Sequence, residues 1–284
     1  MVIEEIEMGR ATSKLICETL EMDPKTLRRR LRGEESMKRR QRPCPSQERI
    51  RERLKVLAEA HPHWGVRRLW ALLRREGVKV SRKTVHAALR SMGYTLPVAQ
   101  KEAKRRVGKK PEAATGPNQV WQIDLTSIPT LREGWGYLFT VIDTFDRAIL
   151  ASDLFGRCRT QEALAVLGEA LNKAFPEGAK GRGLRLVHDN GSQFTSRRFR
   201  EFVKSLEIED IRTAYRHPQS LGILEAWHKT LKVEEVYPKE YETLAEARAS
   251  IRAWVERYNH AHLHSALAYL TPMEYGVESL GVLA

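Results

Sequence analysis

Three carboxylates stand where strand and helix ends can converge. Asp124 falls mid-strand in Val120 to Pro129, where Trp121, Ile123 and Leu125 alternate with Gln122, Asp124 and Thr126. Asp189 follows the short apolar run Leu184 to Val187 and opens a turn with Asn190 and Gly191. Glu225 lies in the first turn of a helix predicted from Leu224 to Val236, with 35 residues between it and Asp189. Carboxylates brought together repel, and they stay ionised only if a cation neutralises them. Hard oxygen donors suit Mg²⁺ or Mn²⁺ and leave positions open for phosphate oxygens and water. Two such ions about 4 Å apart activate an attacking oxygen and stabilise a leaving one, which is what phosphodiester cleavage and transfer require. Lys229 and Lys232 follow Glu225 by four and seven residues, so all three share a helix face that could hold a DNA backbone beside the ions. Plainer readings stand beside these. Glu225, Lys229 and Lys232 also read as a solvated ion-pair stripe, Asp124 as a strand-edge acid and Asp189 as an Asx turn.

Positioning such acids takes a sheet. After Val120 to Pro129, Tyr137 to Asp143 and Ala148 to Phe155 read as two more strands around the turn Thr144 to Arg147, together an antiparallel meander. Thr160 to Phe175 is an amphipathic helix, Leu184 to Val187 a buried strand, Arg197 to Ser205 a helix and Ile211 to Ala214 a strand. Leu224 to Val236 and Leu244 to His260 are helices. Five strands followed and interleaved by helices describe an α/β layer fold, a mixed sheet with helices on both faces.

The N-terminal part differs in kind. Of the chain's 49 Lys and Arg, 29 lie in residues 1–115 against 14 Asp and Glu; the rest holds 20 against 22. Charge that one-sided points to a polyanion, most simply nucleic acid, although a basic face kept for solubility gives the same count. Ala11 to Leu20 and Lys25 to Arg32 read as helix, turn, helix, with Asp23-Pro24 as the start signal and Arg28, Arg29 and Arg30 on the second helix. A second all-α unit follows: Ser46 to about Ala60, Gly65 to Glu76, then Arg82 to Met92 capped by Ser81 and carrying Arg82 and Lys83. Such a closing helix can lie in the major groove while its cations meet phosphates. The expected organisation is a helix-turn-helix over 1–40, a second over 46–96, a basic proline-containing linker over 97–118, and an α/β unit over 119–284. No stretch approaches the roughly 18–20 unbroken apolar residues of a membrane helix, and Met1 to Arg10 does not read as a signal peptide, so a cytoplasmic location is expected. Cys17, Cys44 and Cys158 are far apart and form no CxxC pair, which argues against a disulfide framework or a cysteine zinc site.

Several short stretches together resemble one family. Trp121-Gln-Ile-Asp124, His188-Asp-Asn-Gly-Ser-Gln-Phe-Thr195 and Leu224-Glu-Ala-Trp-His-Lys-Thr-Leu-Lys232 resemble the integrase core of DDE transposases. The nearest type is the OrfB product of the insertion-sequence-three family, with retroviral integrases as distant relatives. His61-Pro-His-Trp-Gly-Val-Arg-Arg-Leu-Trp70 resembles that family's upstream helix-turn-helix module, and Tyr258-Asn-His-Ala-His-Leu-His264 its tail. The resemblance implies a ribonuclease-H-like catalytic core, Asp124, Asp189 and Glu225 as ligands of two Mg²⁺ or Mn²⁺ ions, 3′-end nicking by water, and strand transfer by the freed 3′-hydroxyl. It implies double-stranded DNA as partner, both transposon ends and target, and a homo-oligomer on paired ends. The chain departs from the family pattern at His262, where an Arg is usual, at Leu221-Gly222 in place of Asp-Asn, and at Asp146-Arg147 in place of Ser-Arg. None of these is one of the three acids.

Two other activities share parts of this pattern: a ribonuclease-H-like nuclease without transfer, and a non-catalytic DNA-binding regulator. The basic N-terminal module argues against the first and the complete acid set against the second. Asp143 reads as a turn residue, and His260, His262 and His264 lack a fourth ligand for zinc. His188 and His228 flank two of the acids, and His188 reads equally as packed, solvent-facing or hydrogen-bonded to phosphate or hydroxide. Trp64, Trp70 and Trp254 sit at helical spacing and read as core.

Overall fold

The computed structural model describes residue 23 and residues 45–96, 113–213 and 221–282. Arg28, Arg29, Arg30 and the whole first helix-turn-helix expectation lie outside the described residues. The chain divides into two compact units, Met1–Arg53 and Leu54–Ala284, and the contacts below belong to the second.

Helices α1 (Pro45–Ala60), α2 (Val66–Arg75) and α3 (Arg82–Ser91) come first. Their apolar faces meet in Leu54, Leu57, Leu69, Leu73, Val85 and Leu89, all buried. Gly77 ends the turn after α2 at φ +82°, a left-handed conformation that costs glycine nothing. Ser81 caps α3, its hydroxyl accepting from Thr84 N at 3.1 Å.

The sheet has five strands among the described residues: β1 (Val120–Thr130), β2 (Gly134–Asp143), β3 (Ile149–Phe155), β4 (Arg185–His188) and β5 (Glu209–Arg212). Their order is β3-β2-β1-β4-β5. The first three form the expected antiparallel meander, with Asp124 opposite Thr140, and β4 then joins β1 in parallel with Gln122 beside Val187. A parallel return needs a crossover, and α4 (Thr160–Ala174) supplies it. The short α5 (Ser192–Thr195) and α6 (Arg197–Ser205) connect β4 to β5, and α7 (Gly222–Leu231), α8 (Leu244–Ala261) and α9 (Pro272–Val282) complete the chain.

Alternation along β1 sorts the core into two layers. Trp121 and Ile123 point to one face, where they pack with Phe139, Val141, Val166, Leu167, Phe194 and Phe199. Ile128, Leu138 and Ile142 point to the other, against Leu224, Trp227 and Leu231 of α7 and Ile251 and Trp254 of α8. Truncating any one wholly buried leucine of these layers costs roughly 2–5 kcal/mol. The mixed sheet with helices on both faces is thus as expected from the sequence.

Three local features differ from the sequence reading. β5 pairs two residues earlier than Ile211 to Ala214, because buried Ile208 anchors its start and sets Asp210 opposite Leu186. The helix after Glu225 is not one α-helix to Val236: it ends at Leu231 and continues as a π turn, Lys232–Val236, closed by Tyr237 N donating to Lys232 O at 2.8 Å. The cause lies at Glu235, which is only 2% exposed and draws the turn inward to Lys239 Nζ at 2.5 Å and Ser250 Oγ at 2.6 Å. Finally, His262, singled out in the sequence only as lacking a fourth ligand for zinc and as a departure from the family's Arg, is buried and stands edge-on to Trp64 at 5.5 Å. Among the described residues no three His, Cys, Asp or Glu side chains are gathered closely enough to hold a metal ion, neither His260, His262 and His264 nor the acids Asp124, Asp189 and Glu225.

Candidate active site

β1 holds the site together. Because side chains alternate, Gln122 and Asp124 share the face that meets α7. The buried Gln122 amide oxygen accepts from Leu224 N at 3.0 Å, at the start of α7, where an N–H has no partner within the helix. Glu225 is the next residue, exposed in that first turn. On the other side of β1, β4 ends at His188, and Asp189 follows half-buried. Asp189 Oδ1 accepts from Gly191 N at 2.9 Å. The Asx turn and the site position are therefore one arrangement rather than alternatives.

The three acids feel one another. Burial pushes the Asp124 carboxyl up to about 7, the negative charges of Asp189 and Glu225 push it the same way, and the backbone N–H of Leu125 opposes them. An acid held there is half-protonated near neutral pH unless a cation joins it. Hard oxygen donors sharing a repulsive charge suit a divalent cation by their chemistry, although the three do not stand close enough here to enclose one.

Two histidines complete the surroundings. His228 is buried, its Nδ1 lies 3.7 Å from Asp124 Oδ2, and its Nε2 has no hydrogen-bond partner. Burial, helped by Lys232, pulls its titration down to about 3, so it faces Asp124 as a neutral ring. The signal for it in the sequence is its place three residues past Glu225, on the same helical face. His188 is wholly buried, with Nδ1 2.6 Å from the Asp189 carbonyl oxygen and Nε2 2.6 Å from Asp210 Oδ1. It spans the peptide of Asp189 and the neighbouring strand.

The cations fall in two groups. Lys232 is half-buried near His228, and Lys229 is exposed one turn earlier. Arg82 and Lys83 are exposed at the start of α3, away from the acids in sequence and element, with the Arg82 guanidinium 5.5 Å from the Trp70 ring centroid. Asp143 is the last residue of β2 rather than a turn residue, and its carboxylate braces the turn that follows, accepting from Phe145 N at 2.8 Å and Asn118 N at 2.5 Å. Trp64 and Trp254 are buried core residues, while Trp70 is half-buried and donates to Val80 O at 2.8 Å.

Comparison with known proteins settles the kinship. Two family models described as integrase core domain match residues 114–218 and 206–272, and one described as HTH-like domain matches residues 45–102. The chain is similar to the transposase InsD for insertion element IS2 of Escherichia coli, at 30% identity over 75% of this chain and 73% of that one. It belongs to the OrfB-type DDE transposases of insertion sequences. This transposase is also similar to that of insertion sequence element IS904 of Lactococcus lactis, at 28% identity over 81% of its own length and 96% of the relative's. In fold it is similar to a chain of the simian T-cell lymphotropic virus intasome, with TM-score 0.50 and 17% identity, covering 78% of this chain and 73% of that one. The transposase core is accordingly the integrase, ribonuclease-H-like sheet, preceded by a helix-turn-helix-like region. No helix among its described residues is long and apolar enough to cross a membrane.

Proposed function

We propose that this transposase cuts and joins DNA strands at Asp124, Asp189 and Glu225, nicking the 3′ ends of its element and transferring them to target DNA. The observation that carries this is the half-buried Asp124 carboxyl beside the neutral His228 ring, pushed up to about 7 by burial and by the charges of Asp189 and Glu225. Three mutually repelling carboxylates on different elements are costly to the apo-protein and useful only where a cation is to be held. Asp124, Asp189 and Glu225 would hold two Mg²⁺ or Mn²⁺ ions, which when bound polarise the scissile phosphate and lower the pKa of a bound water.

The rest is the work of the chain itself. β1 and β4 fix the two aspartates side by side through the parallel register Gln122 beside Val187. Gln122 fixes the start of the helix that brings Glu225. Neutral His228 lines the floor beside Asp124 without adding a competing positive charge. Lys229 and Lys232 meet backbone phosphates next to the scissile one, and Arg82 and Lys83 hold the element's end at a distance. Water attacks the phosphorus and the 3′ oxygen leaves as a hydroxyl. That hydroxyl then attacks a target phosphodiester, one P–O bond forming as another breaks. Double-stranded DNA is the substrate, and paired ends imply at least two copies of the chain working together.

The test is transfer. Purified full-length protein with Mg²⁺ should join a labelled 3′ end of its element to plasmid DNA, and Asp124→Asn, Asp189→Asn or Glu225→Gln should each abolish both nicking and joining. Nicking without joining would identify a nuclease instead, and full activity in any one acid variant would remove that acid from the site.

A further inference from the structure

Helices cover both faces of the sheet beside the acids. α7 packs on one face through Leu224 and Trp227, and α4 on the other through Ala163, Val166 and Leu167. The α7 side already has a task on the reading above. Lys229 and Lys232 belong to it, and Arg68 of α2 reaches Glu234 of the π turn at 3.4 Å, which seats the helical module on that side. The α4 side carries a loop with no task assigned, residues 156–159 between β3 and α4. Arg157 and Arg159 are exposed there and flank the half-buried Cys158. Arg159 has extended backbone, φ −120° and ψ 168°, so its side chain leaves on the side opposite to Cys158. Burial, then the charges of Glu162 and Asp189, push the Cys158 thiol up, which puts the loop within electrostatic reach of Asp189. Bonds join the same parts: Asp189 Oδ1 accepts from Gly191 N, α5 follows, and Ser196 at its end accepts from Thr160 Oγ1 at 2.9 Å.

Among the described residues neither arginine has a carboxylate partner. The acids on either flank are engaged elsewhere: Glu162 accepts from the Arg159 backbone N–H at 3.0 Å, and Asp153 is held by Arg248 at 3.1 Å and Arg252 at 3.8 Å. Local stability does not ask for arginine here either. Arg159 is the N-cap of α4, where the helix dipole disfavours a cation and a short polar side chain would cap better. Two exposed, unmatched cations beside Asp189 suit spaced anions brought from outside. Strand joining brings two duplexes to one set of acids, and the two cannot lie on the same surface. We propose that the loop of Arg157 and Arg159 is the seat of the target duplex, the two arginines meeting phosphates that flank the phosphodiester under attack, across the acids from the end duplex on α7. This rests on the strand-cutting reading above and gives its second DNA a place.

Both side chains are exposed, so replacing them leaves the core untouched, which thermal unfolding of each variant checks. In the full chain, Arg157→Gln with Arg159→Gln should lower the ratio of joined to nicked ends about tenfold. Arg157→Lys with Arg159→Lys should restore most of that ratio, since a phosphate contact needs the charge. A second readout is independent of cutting. With the full chain saturated by unlabelled end duplex and no Mg²⁺ present, anisotropy follows a labelled duplex that lacks those ends. The two Gln changes should reduce its slope of log affinity against log salt by about two units, one for each phosphate contact. An unchanged ratio or an unchanged slope overturns the seat. An equal fall of nicking and joining also overturns it, by placing the arginines on the end duplex. If the unaltered protein does not nick at all, the strand-cutting reading fails, while the slope still decides whether a second duplex rests on this loop.

Discussion

Gln122 and Leu224 are 102 residues apart and joined by one buried hydrogen bond of 3.0 Å, side-chain oxygen to backbone N–H. Through it, the strand that carries Asp124 also sets where the helix carrying Glu225 begins. Gln122→Leu keeps much of the volume and removes the acceptor, leaving a buried N–H unmet. The variant should lose about 1–3 kcal/mol of stability. At a temperature where it is fully folded it should still nick at least tenfold more slowly, because Glu225 is no longer held in place. Thermal unfolding and nicking rates of the same preparation check this; normal nicking in a destabilised but folded variant would reduce Gln122 to a structural role.

His188 braces Asp189 through its carbonyl oxygen and takes Asp210 as its other partner, each at 2.6 Å. Groups that orient a ligand from behind typically matter 10–100-fold. Asp210→Asn should accordingly raise the Mg²⁺ concentration needed for half-maximal nicking about tenfold, with little change in DNA affinity. A metal requirement identical to that of the unaltered protein would show that the brace serves only packing.

Lys232 opens the π turn and is half-buried near His228. One lost phosphate contact in Lys232→Ala should reduce the slope of log affinity against log salt by about one unit. The double change with Lys229→Ala should cost more than either single change. Equal slopes across the set, measured by anisotropy with end DNA, would make both lysines merely solvated.

Asp143 offers a pH effect outside the site. Burial, then the neighbouring Asp146, pushes its carboxyl up to about 6, against hydrogen bonds from Phe145, Asn118 and Trp121. Its folded-state value lies above the ordinary carboxylate value of 3.8, so the folded state favours the protonated form. The stability this group contributes is fully present below about 4 and is lost as pH rises through about 6. Asp143→Asn should flatten that part of the stability–pH curve, as read by thermal unfolding at a series of pH values. A curve of unchanged slope between those limits would count against the assignment.

Much of this arrangement was legible in the residues. The alternation Trp121, Gln122, Ile123, Asp124 announces a strand with one apolar face, and the run ending at His188 announces where Asp189 must emerge. Local period and turn chemistry suffice for both. What stayed hidden depends on long-range partners. Nothing local marks Glu234 or Glu235, yet Glu235 is buried in the π turn and Glu234 lies 3.4 Å from Arg68 of α2. His228 shows in the sequence only as a neighbour of Glu225, and it takes the sheet to set its ring 3.7 Å from Asp124. Likewise, nothing in His262 itself says that Trp64, far upstream, will stand edge-on to it.

The strand order β3-β2-β1-β4-β5 puts β1 at the centre, with its parallel partner β4 reached only after a long excursion through α4. Parallel pairing of distant segments is slow, because the chain loses its freedom before the contacts form. As a ribosome extrudes this chain, the meander with Asp124 emerges first, Asp189 only after the crossover, and Glu225 last of the three. The unfinished polypeptide therefore has no complete set of acids to offer DNA. On the strand-cutting reading proposed above, cutting would become available only to a chain that has closed its sheet and docked α7, so the topology itself would delay an activity that is hazardous if it begins early.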